Sequence, residues 1–195
     1  MIFTTKFLTD FADQAVILPL VIAIAIALML QGWWRGALAW LVATTGTFSV
    51  MLALKLGFLA CSPSQYVRSP SGHVAAATVV AGGLAILLLR WRPSVLPLAI
   101  LAAVVIGVSR VVLGMHSVPE VAMGAVVGFL GAVTLLWLAG HVPDTLNVKY
   151  LALLAVLIVV VMHGFHLPAE AHVRRLALEV RHVVGCQPIP HARHP

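Results

Sequence analysis

The sequence predicts an all-α fold, a polytopic membrane bundle of six transmembrane helices, and two observations carry that expectation. Hydrophobic residues make up 62% of the 195-residue chain and charged residues only 9%, with a mean hydropathy of +1.07, far from soluble domains. The apolar residues also fall into six segments of span-like length, each bounded by polar residues, glycine or proline. The length suits one main domain. Residues 1–167 carry the six spans, and residues 168–195 form an appended tail.

Each element has its own signal. Residues 1–14 place Phe3, Phe7 and Phe11 four apart, an aromatic helix edge that suits a membrane interface or simple packing. No basic cluster or small-residue cleavage pattern surrounds the first apolar run, so it reads as a retained span over 15–30. Trp33, Trp34 and Arg35 form its interfacial exit. Span two covers 36–60 and holds Lys55 in its last turns, where a charge is costly unless it snorkels to the interface or faces a polar cavity. After a loop rich in Ser and Pro, span three opens near His73 and ends at Arg90, Arg92 and Pro93. Span four covers 95–112, span five 118–138 and span six 149–165. Gly124 and Gly128, with Gly131 nearby, allow close helix approach in span five.

The tail changes character. Val173, Leu176, Ala177, Val180 and Val184 follow helical spacing while Arg174, Arg175, Glu179 and His182 take other faces, so 169–184 reads as an interfacial amphipathic helix stopped by Gly185. Its histidines, His172, His182, His191 and His194, match no common metal-site spacing and belong to a solvated face. The net charge of +6 is explained by basic residues that flank spans, and it calls for no nucleic-acid partner. Cys61 and Cys186 are too few for a disulfide framework and lack metal-site spacing.

Two polar runs interrupt this apolar frame. One is Arg68 to His73, ending in Pro70-Ser71-Gly72-His73; the other is Ser109-Arg110 followed by His116 and Glu120. Two spans separate them, and an even number of crossings puts both on one side of the membrane. The loops around Arg35, Arg90 to Arg92 and Asp144 fall on the other side. Pro-Ser-Gly ahead of a helix offers an N-cap serine and free backbone N–H groups, a natural anion site. Lys55, Arg68 and Arg110 bring positive charge to the same spot, and arginine's fork suits a phosphate. His116 and Glu120 are four apart. With a helix starting near Ser117 and Pro119 in its first turn, the carboxylate reaches back to one ring nitrogen and leaves the other as a nucleophile. His73 is then placed to protonate a leaving oxygen. Taken singly, each residue has a structural reading: an interfacial anchor, a helix-end carboxylate or a hydrogen-bonded histidine. Their convergence on one side favours phosphoryl chemistry.

These residues resemble the type 2 phosphatidic acid phosphatase superfamily, membrane lipid phosphatases that share a site design with vanadium haloperoxidases. The family pattern is Lys, six residues, Arg-Pro; then Pro-Ser-Gly-His; then Ser-Arg, five residues, His, three residues, Asp. Pro70 to His73 match the second part in full. Ser109, Arg110 and His116 match the third, with Glu120 in place of Asp, and in the first part Lys55 is followed by Ser62-Pro63, so the arginine is missing. Arg68 is the candidate replacement. The resemblance covers 55–120 at the motif level and implies roles. His116 is the nucleophile, Glu120 orients it, His73 is the general acid, and Lys55, Ser71, Gly72 and Arg110 hold phosphate oxygens with Ser109 in support. It implies no cofactor and no metal.

The expected activity is hydrolysis of a terminal phosphate from a lipid phosphate or pyrophosphate entering from the bilayer. Undecaprenyl pyrophosphate, phosphatidic acid, phosphatidylglycerol phosphate and lipid A are the candidate donors. A lipid-to-lipid phosphotransferase and a non-catalytic lipid-phosphate binding or transport protein are the rival readings. The arginines of the opposite loops favour the cytoplasm, which turns the site toward the periplasm from a bacterial inner membrane, although the basic tail argues the other way. On an oxidising side Cys61 and Cys186 would be able to pair.

Overall fold

The computed structural model describes residues 2–61 and 67–186, without the side chains of residues 2–4 and 6. The aromatic edge expected near the N-terminus starts on α1, Ile2–Asp10, and ends with Phe11 in the turn after it. Phe7 and Phe11 meet edge to face at 5.3 Å and both pack on the His163 ring. The side chain of Phe3 lies outside the described residues. α2, Gln14–Leu30, begins at an N-cap Asp13 whose carboxylate accepts the Ala15 N–H at 2.8 Å.

α3 runs over Trp34–Cys61, α4 over Gly72–Leu89, α5 over Val95–Val112 and α6 over Val118–Ala139. A 3-10 turn at Arg92–Ser94 leads into α5. α7 is Val148–Met162 and α8 is Ala169–Val184. Among the described residues every regular element is helical. Among the described residues five helices are long and apolar enough to cross a membrane. The sixth apolar segment, α7, has 15 residues, or about 22 Å of rise against roughly 30 Å of hydrocarbon. It nevertheless connects the two ends of the bundle. Gln31 reaches the Asn147 N–H before it, and beyond its last turn His163 meets the Phe7 carbonyl at 3.2 Å.

The core lies among α2, α3, α4 and α6, where small residues let backbones approach. Trp40 is fully buried and donates its indole N–H to the Val21 carbonyl at 2.9 Å, satisfying its one polar atom. Gly83 lies under the Trp40 ring. A side chain at Gly124 would collide with the backbone of Ser71, the N-cap of α4, and one at Gly128 with that of Ala75 on α4. The glycine spacing of α6 thus presses that helix onto α4 and brings both of their N-termini together.

The two ends of the bundle differ as parity requires. Arg35 donates to the Leu138 carbonyl, Arg92 to that of Gly140, and Arg90 to those of Asp144 and Leu146. These arginines satisfy carbonyls at the end of α6 and in the loop after it, a structural task beyond anchoring. At the opposite end α8 folds back along α3. Val173, Ala177 and Val180 form its less exposed stripe, Arg181 donates to the Leu59 and Ala60 carbonyls, and Cys186 forms a disulfide with Cys61.

Candidate active site

The site is built where the first turns of α4 and α6 meet the ends of α3 and α5. Gly114 takes a positive φ of 66° in the turn after α5, and the Arg110 carbonyl accepts the Met115 N–H at 3.0 Å. That turn delivers His116 just ahead of α6. The N-cap is Ser117 and Pro119 stands in the first turn, as the sequence predicts.

Glu120 closes the contact that its spacing predicts. Its Oε2 lies 2.9 Å from His116 Nδ1 and accepts the Ser117 N–H at 3.0 Å. A carboxylate only accepts, so in the neutral ring Nδ1 carries the proton and Nε2 keeps its lone pair. The other oxygen accepts the backbone N–H of Arg68 at 2.6 Å and of Ser69 at 3.1 Å, while the Glu120 carbonyl accepts that of Ser71 at 3.0 Å. One residue therefore orients the histidine and clamps the loop before α4. The extra methylene relative to aspartate is accommodated with full hydrogen bonding. Burial pushes the His116 pKa below its usual value, and the charges of Arg110 and Lys55 act in the same direction; together they outweigh the pull of Glu120. The shift favours the neutral ring.

Around this dyad lie polar atoms that lack partners. Ser69 Oγ, Ser71 Oγ and Arg110 Nε are buried with no hydrogen bond among the described residues. Ser71 occupies the N-cap position of α4 but makes no side-chain cap bond, contrary to the capping expected from the sequence, because its loop is held by Glu120 instead. Such groups are costly unless a ligand meets them. Lys55 is buried and passes over Gly72, where any side chain would crowd its Cε at 3.3 Å. Its ammonium is enclosed between α3 and α8, where it pairs with Glu170.

Ser109 is buried, and its hydroxyl donates to the Ile106 carbonyl and meets the Thr9 hydroxyl, both at 2.7 Å. Its visible work is to pin α1 to α5 beneath Arg110. Arg68 lines the cavity with an exposed side chain, and the motif positions Ser62 and Pro63 lie outside the described residues.

Sequence reasoning missed four contributors. Asp13 Oδ2 lies 3.9 Å from His73 Nε2, His166 Nε2 lies 3.0 Å from Asp10 Oδ1, and Glu170 Oε2 sits 2.6 Å from Lys55 Nζ. Burial favours the neutral form of Glu170, but the bond and charge of Lys55, with Arg174 and His116 further off, hold its pKa below the usual range. An acidic residue ahead of an apolar run is a legible N-cap signal for Asp13. No local spacing links the other three to the site. His73, His116, Arg110 and Glu170 all border one cavity of about 540 Å³ at this end of the bundle.

A model of the PAP2 superfamily matches residues 15–144. The chain belongs to the PAP2 superfamily. The match contains every motif residue from Lys55 to Glu120 and leaves out Asp10, Asp13, His166, Glu170 and Cys186. No curated protein and no solved structure matches the chain. PAP2 membership makes phosphatase chemistry the general activity, and the apolar helices make this PAP2 protein a membrane protein.

Proposed function

We propose that this PAP2 protein removes the terminal phosphate from a membrane lipid phosphate or pyrophosphate through a phosphohistidine on His116. The observation that carries the reading is the dyad: Glu120 engages Nδ1 at 2.9 Å and leaves Nε2 for attack. Nε2 attacks phosphorus, a P–N bond forms, and the bond to the lipid oxygen breaks as His73 supplies its proton. Water activated by His73 then attacks the phosphohistidine, releasing phosphate and restoring both histidines. Lys55, Arg110, Arg68, the Ser71 hydroxyl and the N–H groups at the start of α4 hold the non-bridging oxygens, with Ser109 in support. Charge stabilisation in this scheme uses the chain's own cations and needs no metal or cofactor.

The phosphate must displace Glu170 from Lys55, so the carboxylate marks an oxygen position in the resting site. Undecaprenyl pyrophosphate, phosphatidic acid and phosphatidylglycerol phosphate are the substrate classes in view. Six crossings, with α7 short and extended by its flanks, fit the contacts at both of its ends. A disulfide at the site's own end supports an oxidising compartment there, consistent with a bacterial inner membrane and a periplasmic site. The test is a phosphate-release panel over these lipids with wild type and His116→Ala. Wild type is expected to release phosphate and to carry label on His116 after acid-free quenching. His116→Ala should lose turnover by at least about 10³-fold, and equal turnover in the two proteins would remove the nucleophile. Label passed to an added acceptor lipid would favour a phosphotransferase. Absence of any label would favour a binding or transport protein.

A further inference from the structure

Two apolar recesses approach the site end of the bundle, and only one shares its chemistry. The recess between α5 and α6 has Thr78 as its single polar residue and touches none of the motif histidines or cations. The other, about 310 Å³, lies between α2, α3 and α8 and is lined at one end by Lys55, Gly72, His73 and Glu170. From that end it continues along Phe48, Met51 and Leu52 of α3 and Ile17 and Leu18 of α2.

The sequence makes this a continuous track. Positions 48, 51, 52 and 55 recur at helical spacing, so one face of α3 leads from apolar side chains to the lysine over about 10 Å of rise. Ile17 and Met51 are buried at the base, whereas Leu18 and Leu52 are 39% and 41% exposed and open the track to the bilayer side. Ala76 on α4 keeps the floor shallow, and Val173 on α8 roofs the polar end. Glu170 is already seated there on Lys55 at 2.6 Å, so an anion has a defined place at the head of an apolar groove.

We infer that the groove between α2, α3 and α8 binds the hydrocarbon chain next to the substrate's phosphate, and that the lipid enters through it beneath α8. This rests on the proposed lipid phosphatase activity and assigns the chain a place. A phosphate on Lys55 and the Gly72 N–H puts the first carbons of its ester against Met51 and Leu52, and the groove is apolar from there on. The roof is fixed at its far end by the Arg181 bonds and the Cys61–Cys186 disulfide, while Glu170 yields its place to the phosphate. Entry therefore needs a side-chain exchange on Lys55 and no unfolding of α8.

The experiment measures kcat/KM on dioleoyl phosphatidic acid, farnesyl pyrophosphate and the chainless p-nitrophenyl phosphate, for wild type, Leu52→Trp, Leu18→Trp and, on the other recess, Val126→Trp. Filling the groove should lower the ratio of lipid to chainless activity by about tenfold or more, and Val126→Trp should leave that ratio at the wild-type value. The reverse pattern, or equal ratios throughout, overturns the assignment while the phosphatase reading stands. Wild type that releases phosphate from neither lipid overturns both. If the tryptophan variants fail to accumulate, a photoreactive lipid phosphate on wild type decides: adducts on residues 17–18 and 48–52 support the groove, and adducts confined to α5 and α6 reject it.

Discussion

The two histidines of the site are held in opposite ways. His116 and its carboxylate are four residues apart, meet at 2.9 Å, and share a carboxylate that also takes three backbone N–H groups. His73 faces Asp13 at 3.9 Å across 60 residues of sequence, in a part of the cavity finished by the terminal elements α1 and α8. The orientation of His116 is thus a local property written into one helical turn. The environment of His73 is assembled by long-range packing. The family match covers His73, His116 and Glu120 and stops short of Asp13, α1 and α8.

Glu120→Gln strikes the local half and should have the largest effect. A neutral amide cannot stabilise imidazolium or fix the tautomer as firmly, and a fall of about 10²–10⁴-fold in kcat is expected. The pH profile sharpens this. Attack needs neutral His116, whose pKa lies below its usual value, so activity should persist through the ordinary histidine range as pH falls and fail only below it. Removing the carboxylate's charge shifts that acid limb lower still. An unshifted limb would break the dyad.

The disulfide tests the long-range half. It joins residues 125 apart, and Cys61→Ser or Cys186→Ser should lower the temperature of half-inactivation by about 5–15 °C. Denatured, unreduced protein should show no free thiol, and two titratable thiols would contradict the pairing.

Arg68 belongs to both halves. Its backbone N–H serves Glu120, which alanine preserves, so Arg68→Ala isolates the guanidinium. A loss of about 10–100-fold in kcat/KM is expected if the side chain replaces the missing motif arginine, and wild-type kinetics would reject that role. Glu170→Gln should act least and in the opposite sense. The pair with Lys55 is half exposed on the glutamate side, so its loss should tighten inhibition by inorganic phosphate by no more than about fivefold. Weaker phosphate inhibition would show that Glu170 positions the lysine instead of competing for it.

Much of the molecule was legible in the chain. The apolar segments lie where their composition predicts, α8 spans the predicted amphipathic stretch and ends at Gly185, and parity brought His73, Arg110, His116 and Glu120 to one cavity. Ser71 was legible as a helix start but misjudged in detail. Whether its hydroxyl caps α4 depends on where the loop is pulled, and Glu120, 49 positions away, does the pulling.

By itself the sequence determined the membrane class, the order of helices and the His116–Glu120 dyad, since hydrophobic periodicity and i,i+4 spacing act within a single element. Only the tertiary structure decided that Asp13 faces His73, that Glu170 sits on Lys55, that Cys186 reaches Cys61, and that one apolar recess rather than another meets Lys55 and His73. Those contacts join positions 60 to 125 residues apart. At such separations no local spacing rule applies, and close helix packing through Gly124 and Gly128 sets which side chains meet.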